Sequence, residues 1–273
     1  MNQVGHKQQY FSTFICALII PCLVTPLLAS IYPWIESKFQ WQMMMAFAVI
    51  DFGLIVATLI IVKFTKFFDW RILLLTYLYM LALFICNVFL AVYVWSSHDP
   101  RSIASIAIAS FVRAGLMEEA FKLACWLPWI YVGKRHVNLV AYVAALSGLL
   151  FAFIENMHMM GVVSLTIEES EVPELVGNSV FVTIAYIRFL WMPIFHLALA
   201  MVGYSLFAIL RARNAYWIWY IFVLMVPSAL HGLYDFGIFL GADMGWTLCT
   251  QITPLVSISI TLFSIGLLVH TTN

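Results

Sequence analysis

The stretch FVRAGLMEEAFKLACWLPWIY, Phe111 to Tyr131, is apolar enough to enter a membrane yet carries Arg113, Glu118, Glu119 and Lys122. A charge near a bilayer centre costs roughly 2.5 to 3.5 kcal/mol on insertion scales, so several charges on one span need partners or a task. On a helix, Lys122 follows Glu118 by four residues and Glu119 by three. It can reach either carboxylate, whereas the two glutamates point about 100° apart. The spacing therefore predicts that one glutamate is paired with Lys122 and the other is left for other work. Gly115, just before them, removes side-chain bulk where a neighbouring helix can bring a polar group close. An ion-paired packing motif would look the same. The functional reading needs partners on other spans.

Composition fixes the class of fold. Of 273 residues, 64% are hydrophobic and 10% charged, against a usual charged share of about 25%, and the mean hydropathy is +1.00. This describes an all-α, polytopic transmembrane helical bundle, a single integral membrane domain over residues 1–273. A formal net charge of zero and no run of lysine or arginine argue against a nucleic-acid partner. The cysteines, Cys16, Cys22, Cys86, Cys125 and Cys249, sit inside apolar runs without a CxxC and read as packing residues.

About eight spans follow in order, near residues 11–32, 43–62, 72–95, 103–131, 137–163, 180–210, 216–240 and 246–270. The first is longer than the apolar core of a signal peptide and reads as a retained span. The second carries Asp51, a candidate partner for Arg113. The fifth carries Glu155, Asn156 and His158; the sixth, Arg188 and His196 around Pro193; the seventh, His231 and Asp235 after Pro227. The polar segment between the fifth and sixth, with Glu168, Glu169, Glu171 and Glu174, reads as a solvated loop. Each proline removes a backbone hydrogen bond close to a histidine and is expected to open the helix locally.

Loop charges orient the spans. Lys7, Lys63, Lys66, Arg71, Lys134, Arg135, Arg211 and Arg213 lie on one side and only Lys38 and Arg101 on the other, so both termini are expected in the cytoplasm. Counted from the cytoplasmic ends, Glu118, His196, His231 and Glu155 all fall roughly 20 to 27 Å deep at about 1.5 Å per residue. Four helices thus place ionisable groups in one layer. Each group also has a structural explanation. His231 and Asp235, four residues apart, fit an oriented histidine, two metal ligands or a buried hydrogen-bonded pair. Glu155 needs a partner wherever it sits, and Arg188 can supply one.

EEAFK at Glu118 to Lys122, FAFIEN at Phe151 to Asn156, His196 in FHLALAMVG and HGLYD at His231 to Asp235 together resemble the four motifs of the PrsW family of intramembrane proteases, itself similar to the CAAX prenyl endopeptidases. The resemblance covers residues 111–240, which it implies are the catalytic core. It implies hydrolysis of peptide bonds in or near the membrane. Membrane-anchored protein substrates are expected, anti-sigma factors among them, as is a prokaryotic cell membrane as the location.

Peptide hydrolysis needs an activated water, a stabilised oxyanion and a proton for the leaving amine. A desolvated glutamate can act as base and then acid, which suits Glu118 or Glu119, with Lys122 holding the other ionised. His196 and His231 are then expected to orient the water or donate to the oxyanion, with Asn156 as a further donor and Glu155 and Asp235 as orienting groups. This mechanism needs no cofactor. The alternative uses Glu118, Glu119, His196, His231 and Asp235 as zinc ligands, although no HExxH is present. An ion- or proton-coupled transporter and a non-catalytic scaffold are two further readings, since intramembrane Asp, Glu and His also build relays.

The charge bias makes a direct prediction. A cysteine introduced between Ser164 and Asn178 is expected to react with an impermeant thiol reagent from outside the cell. Labelling only from the cytoplasmic side would overturn the orientation.

Overall fold

The computed structural model describes residues 70–94, 102–132, 137–169, 174–244 and 259. Every element among them is helical. Helix α1 is Trp70–Val94. Next comes one continuous run made of α2 (Ile103–Ile108), a π-helical segment (Ala109–Glu118) and α3 (Glu119–Val132). It is followed by α4 (Val137–Glu169), α5 (Glu174–Ala212), a 3-10 turn (Trp217–Tyr220) and α6 (Ile221–Met244). Where no water can satisfy the backbone, a helix closes its own hydrogen bonds, which is why apolar runs of this length adopt it. Among the described residues, three helical stretches are long and apolar enough to cross a membrane: Val140–Met160, Trp191–Ala212 and Trp217–Gly241. The spans expected at 11–32, 43–62 and 246–270, with Asp51 and both termini, lie outside the described residues apart from Ser259.

One expectation about local structure changes. The acidic segment is not a loop throughout: α4 continues to Glu169 and α5 begins at Glu174. Glutamate is a good helix former, so the helices extend beyond their apolar stretches. Pro193 lies inside α5 and Pro227 inside α6, each within a helix that continues past it.

The described residues fall into two compact units, one containing Ala152–Pro193 and the other Leu75–Phe151 with Ile194 onward. In the first, Phe153, Ile154, Met157, Phe189 and Met192 are buried. Arg188 Nη1 donates to Glu155 Oε1 at 2.6 Å, and Asn156 Nδ2 donates to the Arg188 carbonyl at 2.9 Å. The expected Glu155–Arg188 pair is therefore present.

In the second unit, Trp126 is buried edge-on against Tyr204 and Phe207, with ring centroids 6.4 and 5.6 Å away. The π-helical segment packs along α6 at a backbone-to-backbone crossing. A Cβ added to Gly115 would lie 2.5 Å from the Ser228 carbonyl oxygen and 3.0 Å from Gly232 N; one added to Gly232 would lie 2.8 Å from Phe111 Cα. Only glycines permit that approach, as at close helix crossings in membranes. Gly148 does the same for α4 and α5, since a Cβ there would lie 2.5 Å from the His196 carbonyl oxygen. Next to Arg211 and Arg213, Tyr216, Trp217, Ile218 and Trp219 are exposed at the start of α6. Aromatic and basic side chains in that combination suit the membrane–water interface.

Gly115→Ala is accordingly expected to destabilise the protein by about 1 to 3 kcal/mol, the usual cost of forcing a methyl into a packed contact. A lowered thermal midpoint in detergent micelles would show it, and an unchanged midpoint would contradict the crossing.

Candidate active site

The two glycine crossings decide which side chains meet. Gly115 of the π-helical segment, packed against α6, brings Glu118 at the end of that segment and Glu119, the first residue of α3, alongside His231, which immediately precedes Gly232. Gly148 draws α4 and α5 together at His196, whose ring lies 5.3 Å from that of Phe151. Single π turns within α-helices recur at functional sites. Here the π-helical segment ends at Glu118.

Glu119 is the more deeply held of the two glutamates. Its Oε1 accepts from Lys122 Nζ at 2.5 Å and lies 2.8 Å from His231 Nδ1. Its side chain is 2% exposed, against 12% for Glu118 and 16% for Asp235. Lys122, 1% exposed, also lies 2.6 Å from His196 Nδ1 and sits 4.8 Å above the centre of the Phe151 ring. The paired glutamate is thus the one three residues before the lysine.

On its other edge, His231 Nε2 faces Asp235 Oδ2 at 3.4 Å and Glu118 Oε2 at 3.6 Å. These distances are longer than a close hydrogen bond and place two carboxylate oxygens beside one imidazole nitrogen. The His196 and His231 rings are 5.2 Å apart and steeply inclined, and Phe195 packs edge-on against His231 at 5.5 Å. Aromatic rings thus hold both imidazoles from the side.

Glu118, His196 and His231 each offer one donor atom, all within 4.8 Å of one another. Two imidazoles and a carboxylate match, in number and kind, the three protein ligands of a catalytic zinc site. The Glu119 contact to His231 Nδ1 has the form by which a carboxylate orients a metal-bound imidazole. By donor chemistry, the set fits a zinc ion.

Of the residues expected in one layer, Glu118, His196 and His231 meet in one cluster, which also holds Glu119, Lys122 and Asp235. Glu155 and Asn156 belong to the other unit and are bonded to Arg188 as described. Sequence periodicity missed the contact between Lys122 and His196, because it joins positions far apart in the chain. It also missed the framing by Phe151 and Phe195, which look like ordinary apolar positions.

Residues 40–266 match the family described as PrsW family intramembrane metalloprotease. No curated protein and no solved structure matches the chain. The family match spans most of the sequence and includes every residue of the cluster, and the chain belongs to the PrsW family of intramembrane proteases.

Proposed function

We propose that this protein is an intramembrane endopeptidase that hydrolyses a peptide bond of a membrane-anchored protein at the Glu118–His196–His231 cluster, with Glu118 as the base. The division of labour between adjacent glutamates carries this reading. Glu119 is committed to Lys122 and His231 Nδ1, while the more accessible Glu118 faces His231 Nε2.

In this mechanism Glu118 takes a proton from the attacking water and delivers it to the leaving amine nitrogen. His196 and His231 position the water and stabilise the oxygen on which charge develops. Glu119 fixes the His231 ring, and Asp235 supports it from the next turn. Lys122 keeps Glu119 a carboxylate. Asn156 and Glu155 have structural roles through Arg188. The catalytic core is residues 111–240 of one membrane domain, with eight spans, both termini cytoplasmic and a prokaryotic cell membrane as its location.

The convergence of three donor atoms supports a second version on the same residues. There, Glu118, His196 and His231 would hold a zinc ion, which when bound would activate water and polarise the scissile carbonyl. Glu119 would orient His231 through Nδ1. Chelation separates the two versions. The metal-free mechanism expects purified enzyme to keep its activity after thorough chelation and to hold no stoichiometric zinc; loss of activity, with recovery on adding zinc, would establish the metal version.

Glu118→Gln keeps size and hydrogen bonding but removes the base, so cleavage should fall by about 10²- to 10⁴-fold with the thermal midpoint unchanged. Near-normal cleavage would end the glutamate mechanism. Glu119→Gln should behave differently, because it leaves the Lys122 ammonium buried without its counter-charge at a cost of about 3 to 5 kcal/mol. Adding Lys122→Met should recover much of that stability. A single Glu119→Gln protein as stable as the parent would contradict the pairing.

A further inference from the structure

Lys122 makes a contact that its pairing with Glu119 does not require. From the same buried ammonium, Nζ lies 2.6 Å from His196 Nδ1 and 2.5 Å from Glu119 Oε1. A lysine ammonium has three hydrogens to donate and nothing with which to accept. Its neighbour at 2.6 Å must therefore accept, which requires a bare lone pair on Nδ1. A neutral imidazole carries its one proton on the other nitrogen, so which tautomer is present follows from the bond the first nitrogen makes. Glu119 imposes the reverse on His231, because its carboxylate oxygen only accepts and His231 Nδ1, 2.8 Å away, must donate.

We propose that Lys122 is a positioning residue that fixes His196 as the Nε2–H tautomer, so that His196 presents an N–H donor to the site, while Glu119 holds a proton on His231 Nδ1 and the Glu118 and Asp235 carboxylates face its Nε2. One lysine and one glutamate, bonded to each other, set Nδ1 of both rings. For the catalytic reading given above, on which only this consequence rests, His196 supplies the hydrogen-bond donor to the developing oxyanion. The same assignment bears on zinc. Coordination through His196 Nε2 would need the proton moved to Nδ1, against the lysine hydrogens. Lys122 thus disfavours metal at a cluster whose donors would otherwise hold it.

The test is nitrogen NMR on the full-length protein, labelled with ¹⁵N-histidine and embedded in lipid bilayers, with His196 assigned by difference against His196→Gln. Protonated and bare ring nitrogens differ widely in shift, so the spectrum reports the tautomer without any activity measurement. The parent is expected to show His196 protonated at Nε2, as is Lys122→Arg, which keeps a donor. In Lys122→Met the Nδ1–H form should gain population, and zinc chloride should bind about 10- to 100-fold more tightly than to the parent, the range over which outer partners alter metal affinity. If Lys122→Met does not fold, Glu119→Gln with Lys122→Met removes both buried charges and takes its place. Nδ1 protonation in the parent would overturn the proposal, as would an unchanged His196 tautomer and zinc affinity once the lysine is gone. Failure of Glu118 as the base would appear in cleavage assays and leave these spectra untouched.

Discussion

The site depends on one buried cation. Lys122 is almost wholly enclosed and has Glu119, His196 and the face of Phe151 as neighbours. Taking an ammonium out of water costs several kcal/mol even after relaxation, and the carboxylate, imidazole and ring offset that cost together. The requirement propagates outward. Lys122 pairs with Glu119, and Glu119 holds His231 Nδ1; Glu118 then faces His231 Nε2, beside Asp235.

Holding these groups together is a matter of backbone distance. The polar side chains come from the π-helical segment, α3, α5 and α6, and they converge because glycines at 115, 148 and 232 let helices touch without side chains between them. Lipid tails are as apolar as leucine, so helices in a membrane gain little from burying hydrophobic surface against one another and rely on close packing and hydrogen bonds. The glycine crossings and the polar cluster are thus mutually dependent. The crossings bring the charges within reach, and the charges give the crossings a preferred register.

Much of this was legible in the sequence. Low charge and high hydropathy marked a helical membrane protein, and the five helical regions described overlap the expected spans, with α4 and α5 extending about six residues further into the acidic segment. Counting depth along separate helices placed Glu118, His196, His231 and Glu155 at one level because rise per residue is nearly constant; the first three converge, while Glu155 pairs with Arg188, a partner the sequence also offered. Other features were not. Periodicity allowed Lys122 to reach either glutamate, and the choice of Glu119 depends on the local helix and on His231 across the cluster. The π-helical segment leaves no signature in residue type. The acidic stretch looked like a loop because polarity was read as irregularity, although glutamates favour helix once the flanking turns exist.

The central claim is that peptide hydrolysis takes place between Glu118 and the two histidines. The most direct measurement is a cryo-electron microscopy structure in lipid nanodiscs of the inactive Glu118→Gln protein with an uncleaved membrane-anchored substrate bound. The account predicts the scissile carbonyl within hydrogen-bond reach of His196 Nε2, with its carbon facing residue 118. A substrate whose scissile bond lies away from residue 118 and both imidazoles would contradict it.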